Sequence, residues 1–145
     1  MSRTAAARER TIGAPPPAPS ALRLVGPAAL HARGRIKAPL GARFMEDADA
    51  YAVALGPADA ADVAALARAL PDPDALSPGT LVVILPDVFD PPSFGRRVLA
   101  ALGRGRTVSR ALRASALVTR GYVRVAAGVD RETHADLVWG YAASP

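Results

Sequence analysis

The sequence predicts an α/β domain built on a partly parallel sheet, closed by a C-terminal antiparallel strand pair and preceded by a disordered N-terminal arm. Three observations carry this. The run "TLVVIL" (80–85) is β-branched and apolar on both faces, as a strand must be when helices cover both sides of a parallel sheet. From residue 50 onward, apolar runs bounded by turn residues alternate with helical periodicity. The first twenty residues hold four prolines and no hydrophobic period.

A chain of 145 residues is one domain with room for a tail. The reading divides it into a basic Pro/Ala-rich arm (1–20) and a single α/β domain (21–145). Half the residues are hydrophobic, but 33 of them are alanine. At about 0.8 kcal/mol per buried CH₂, alanine adds little burial. The core is thin for the length and predicts support from a protein partner or a second copy. Cysteine is absent, which excludes disulfides, thiolate metal sites and a cysteine nucleophile. The longest aliphatic run, 81–85, is far short of the roughly 20 residues that span a bilayer. The start "MSRTAAARERTIGAPPPAP" lacks the apolar core of a secretory signal. The expectation is a cytoplasmic protein with no membrane contact; whether the arm is a targeting segment stays open.

Charge is laid out in blocks. Residues 1–43 carry a net of +7, 44–92 a net of −8, 93–129 a net of +8, and the remainder −2, within a total of +5. Blocks of this kind either attract each other across the fold or leave one face strongly basic.

Taken in order, "APPPAPS" reads as a flexible or polyproline segment. "ALRLVG" (21–26) is a short strand or the first turn of a helix. Residues 27–44, broken by Pro27, Gly34, Pro39 and Gly41, read as irregular. "AYAVALG" (50–56) fits a buried strand ended by Gly-Pro. In 58–72, Val63, Leu66, Ala67 and Leu70 share one helical face, with Asp59 or Asp62 as the cap and Pro71 as the stop. After the turn at 77–79 comes the strand 80–85, then a helix over 93–102 that turns Phe94, Val98, Leu99 and Leu102 to the sheet. A helix over about 107–119 places Val108, Ala111, Leu112, Ser115 and Val118 on its apolar side. "YVRVAAGV" (122–129) and "ADLVWGYAA" (135–143) are strands joined by "DRETH".

"MEDADAYAVAL" (45–55), "LSPGTLVVIL" (76–85) and "LVTRGYVRV" (117–125), in that order, resemble the second half of the Rossmann-like class I S-adenosylmethionine-dependent methyltransferases. The likeness covers about residues 40–143, and its most specific part is the "LSPG" phrase with its strand. It implies a sheet ending in an antiparallel pair. The family holds its cofactor at a glycine-rich turn after the first strand and binds the ribose through an acid ending the second. Upstream of residue 44 there is no G-x-G-x-G and no strand followed by such an acid. The cofactor half is therefore expected to be missing or degenerate.

The chemistry-bearing residues are few. His31 and His134 fall in no metal-ligand spacing. Asp87 and Asp90 in "PDVFDPP" follow the presumed central strand, the end at which open α/β sheets place ligands; helix capping is their other reading. On the 107–119 helix and its flanks, Arg106, Arg110, Arg113 and Arg120 form one stripe opposite the expected apolar face, with Leu117 among them. Guanidinium forks suit phosphates and carboxylates, so the stripe is a candidate surface for nucleic acid or an acidic protein, or else a solvated helix face. The functional reading is a non-catalytic methyltransferase-like module acting through protein contact, with no cofactor, no metal and no catalytic residue. Two alternatives stand beside it. One is a methyltransferase using S-adenosylmethionine at an atypical or partner-completed site. The other is an Arg-mediated nucleic-acid binder.

Overall fold

The apolar run at 81–85 lies at the middle of the sheet. In the computed structural model, which describes residues 11–12, 15–55, 62–85, 104–134 and 136–143, seven strands form one mixed sheet. They are β1 (Thr11–Ile12), β2 (Ala21–Val25), β3 (Arg43–Phe44), β4 (Tyr51–Val53), β5 (Leu81–Ile84), β6 (Val123–Val129) and β7 (Asp136–Tyr141). Helices α1 (Ala29–Ala32), α2 (Val63–Ala69) and α3 (Arg104–Arg120) and a 3₁₀ turn (Pro73–Ala75) complete the described elements.

The strand order is β1-β6-β7-β5-β4-β2-β3. Strands β3, β2, β4 and β5 run parallel to one another, as does β1 to β6. Strand β7 is antiparallel to both β5 and β6. It is the single strand that opposes the rest, and with β6 it forms the expected terminal pair.

Strand β5 divides its side chains between two cores. Val82 and Ile84 point to one face, with Leu66, Leu70 and Leu117 of the helical layer. Leu81, Val83 and Leu85 point to the other, with Leu22, Ala32, Leu137 and Trp139. All five are buried, as a central strand between two covering layers requires. Helices α2 and α3 cover the first face and touch each other. On the second face α1 and the segment after it lend Ala28, Ala32, Ile36, Leu40 and Ala42. The expected helix over 93–102 lies outside the described residues.

Helix α2 begins where an acidic cap was expected. The Asp62 carboxylate accepts the backbone N–H of Ala65 at 2.8 Å, which satisfies one donor of the open first turn. Leu66 and Ala67 face the core, and Leu70 and Pro71 end the helix in extended conformation.

Helix α3 corrects the expected apolar face. Arg113, Ala116 and Leu117 are buried, whereas Ala111 and Val118 are exposed and Leu112 and Ser115 are half-buried. At 3.6 residues per turn the buried face lies nearly half a turn from the hydrophobic reading, on the side that carries Arg113 and Leu117. The reason is polar: Arg110 and Arg113 meet Asp136 at the start of β7.

The arm is tied to the sheet at one point. Thr11 and Ile12 pair with Ala126 and Ala127 at the β6 edge, while Pro17 and Pro19 lie beside Tyr51 and Leu81.

Candidate functional site

Residues 21–46 hold a unit of which the sequence suggests a short strand or a helical turn at 21–26 and irregular chain over 27–44. Strand β2 runs into Gly26, helix α1 follows, then β3, and Glu46 stands two residues beyond it. The order of chain reverses here, because β3 lies on one side of β2 and β4 on the other. Open α/β sheets bind ligands at such a reversal, at the carboxyl ends of the strands.

The crevice between β2 and β4 is filled by the chain itself. Gly26 adopts φ +103°, and a Cβ there would stand 2.6 Å from the carbonyl oxygen of Ala54. Only glycine fits that approach. The N–H of Ala28 donates to the same Ala54 carbonyl at 3.1 Å, and the N–H of Ala54 donates to Val25 at 2.9 Å. The turn after β2 is sewn onto the end of β4.

Beside it, at the open edge of β2, lies a cavity of about 460 Å³ walled by residues 23–25, Arg33 and residues 44–46. It exists because β3 is two residues long and β2 is five, so the second half of β2 has no β3 residue in register. Arg23, Arg33, Glu46 and Phe44 are among the residues that line it. Arg33 and Glu46 stand 3.5 Å apart as an exposed ion pair. A second, larger cavity of about 790 Å³ lies at the amino ends of β4 and β5, between Pro17, Pro19, Tyr51 and Tyr141. That is the end of the strands opposite to the one where such sheets place their ligands.

The predicted arginine stripe is not a single surface. Arg113 is 5% exposed. Its Nη1 donates to the Asp136 carbonyl at 2.9 Å, and its Nη2 lies 3.5 Å from Asp136 Oδ2. Burial lowers its pKa against the opposing pull of Asp136. Arg110 is part-buried and bonds the other carboxylate oxygen of Asp136. Arg120 is exposed at the end of α3, and Leu117, read as part of the stripe, is fully buried. Arg106 belongs to α3, but its side chain lies outside the described residues, as do Asp87 and Asp90 altogether.

Two carboxylates escaped the sequence reading: Asp130 and Asp136. Asp130 is 4% exposed and organises the β6–β7 turn. Desolvation pushes its pKa up. Hydrogen bonds from the Thr133 hydroxyl and backbone, and from the Leu40 and Glu132 backbones, outweigh that and hold it below the ordinary carboxylate value. Lys37 adds an ion pair to Glu132 at 3.4 Å, so the segment after α1 is fastened to this turn. The signal was present in "DRETH", an Asp followed three residues later by Thr, a pattern that closes a turn on itself. His134 is exposed with φ +57°, its N–H donating to the Asp130 carbonyl. Among the described residues no group of three or more His, Asp or Glu side chains is placed to hold a metal ion, and no helix is long and apolar enough to cross a membrane.

Comparison with family models, with curated proteins and with solved structures finds no match to this chain.

Proposed function

We propose that this chain is a methyltransferase-like module that works through protein contact rather than by methyl transfer. The resemblance of "LSPGTLVVIL" to the family's fifth-strand phrase supports the class. The placement of that strand between a parallel half-sheet and an antiparallel terminal pair is in keeping with it. The observation that carries the non-catalytic reading is the closed reversal point. A methyl donor's amino-acid end needs a glycine cradle there. Where a G-x-G-x-G phrase starting at Gly26 would have its next glycines, the chain has Ala28, bonded to Ala54, and Leu30. Leu30 is 85% exposed, and Met45 of the cavity wall is 48% exposed, apolar surface that suits a protein partner.

Calorimetric titration with S-adenosylmethionine tests this. The expected result is no binding tighter than about millimolar, or about −4 kcal/mol. A micromolar constant, tighter than that of adenosine, would return the chain to the enzymes.

A second reading, a nucleoside ligand in the edge cavity, is favoured by Glu46. It lies twenty residues after Gly26 and just past the next parallel strand, where dinucleotide-binding sheets carry the acid that holds the ribose hydroxyls. On this reading adenosine binds as tightly as S-adenosylmethionine, because the methionine end finds no seat, and Glu46→Gln removes both.

A further inference from the structure

We infer that the basic segment running from α1 into the loop after it is a docking surface for the phosphate backbone of single-stranded nucleic acid. Between residues 23 and 43 the sequence holds five Arg or Lys and no acid. Helix α1 and the loop expose His31, Arg33, Arg35 and Lys37 within seven residues. Two of the cations have carboxylate partners. The side chains of Arg33 and Glu46 are 59% and 85% exposed, and those of Lys37 and Glu132 are 72% and 55% exposed. Pairs this open are worth about 0–1 kcal/mol, so a phosphate oxygen replaces either carboxylate at little cost. Arg35 Nη1 lies 3.1 Å from His31 Nε2, a contact that orients the guanidinium and leaves its charge in place. Between Arg33 and Arg35, Gly34 at φ +79° has no atom within 4 Å of where a Cβ would stand. The backbone there is open to a strand laid along the loop.

The edge cavity decides between kinds of polyanion. Arg33 belongs to both the loop and the cavity wall, and Phe44 lines the same cavity. A base splayed from a single strand can enter there while its phosphates stay on Arg33, Arg35 and Lys37. Single strands are recognised by that pairing of a stacking seat with a cationic track. A duplex or a lipid surface has no base to offer. For the base, though not for the phosphates, this rests on the nucleoside reading of the cavity. The α3 stripe that the sequence nominated for nucleic acid has Arg110 and Arg113 committed to Asp136 in a buried cluster, whereas both ion pairs of the loop are exposed.

The test is fluorescence anisotropy of the full chain with a labelled mixed-sequence single strand of about twelve nucleotides. At about −0.7 per neutralised phosphate, three contacts give a log–log salt slope near −2. Affinity then falls roughly twentyfold between about 50 and about 200 mM salt. The Arg35→Gln/Lys37→Gln variant should flatten the slope to about −0.7, with Arg120→Gln unchanged. Three results would overturn the inference: no binding at the lower salt, a slope indifferent to the loop variant, or equal binding of duplex or of vesicles rich in phosphatidylserine. Adenosine calorimetry reports separately on the cavity. Salt-dependent oligonucleotide binding that depends on the loop, with no adenosine binding, upholds the loop and removes the nucleoside reading.

Discussion

Arg113 of α3 holds Asp136 of β7 by two routes at once. Its Nη1 donates to the backbone carbonyl at 2.9 Å, while its Nη2 lies 3.5 Å from the carboxylate oxygen Oδ2. With Arg110 on the other carboxylate oxygen, two cations share one anion at the seam between helix and sheet. Asp136→Asn leaves two guanidiniums facing a neutral amide, and Arg113 is already penalised by burial. The expected loss is about 3–5 kcal/mol, the usual cost of breaking a buried pair. Arg110 Nε and Asp136 Oδ2 are buried without a hydrogen bond, so the cluster is imperfectly satisfied. An Arg113→Met/Asp136→Leu variant should therefore recover much of the loss. Urea denaturation of both variants checks this; a double variant that loses as much as Asp136→Asn would mean that the cluster is a net stabiliser.

Strand β5 offers a second prediction. Val83 is fully buried and stands in register with Ala52 on one side and Trp139 on the other. Val83→Asp buries a charge in a core built by Leu22, Leu137 and Trp139. The cost is several kcal/mol, comparable with the 5–15 kcal/mol that holds a typical domain together. The variant should be largely unfolded or insoluble at 25 °C. A soluble protein with an unchanged melting temperature would place 81–85 outside the core.

The third prediction concerns acid. Asp130 has its pKa held down in the fold, so its contribution is present above the unfolded value of about 3.9. It is lost as pH falls through the lower folded value. Asp130→Asn removes that dependence and also weakens the bonds to Thr133 and Leu40. The variant should melt lower at pH 7 and lose less stability than the parent on going to pH 3. Parallel acid limbs in the two proteins would show that Asp130 is not the titrating group.

What the sequence disclosed, and what it hid, follows from length scales. Residues 81–85, the Asp62-capped helix and the terminal strand pair were legible because each repeats a pattern over several residues. The unit from β2 to Glu46 was not. A helix of four residues and a strand of two are too short to establish a period, and Gly34, Pro39 and Gly41 read as breaks. The face of α3 misled for a different reason. Arg110 and Arg113 look like surface by composition, and the carboxylate that makes their burial tolerable lies 26 and 23 residues away. No local pattern encodes such a pairing. The cationic loop was hidden by the same irregular stretch, so the candidate site was less legible than the fold.

The last prediction is alkaline. The Tyr122 hydroxyl donates to the Pro71 carbonyl at 2.7 Å, tying the end of the α2 segment to the entry of β6. Burial raises its pKa from 10.0 to about 12, with the Arg120 charge opposing and Asp72 and Tyr51 assisting. The neutral phenol is the bound form, so the folded chain holds this proton more tightly than the unfolded chain. Stability from this group is fully present below pH 10 and is lost as pH rises through about 12. Tyr122→Phe keeps the ring in its core among Val125, Leu117 and Ala142 and deletes the hydroxyl. It leaves the Pro71 carbonyl unbonded by this donor, at a cost of about 1 kcal/mol. The melting temperature of the parent should hold steady from neutral pH to about 10 and then fall. The variant should start slightly lower and fall less over the same span. If both proteins lose stability in parallel above pH 10, other groups govern the alkaline transition and Tyr122 is only a packing residue.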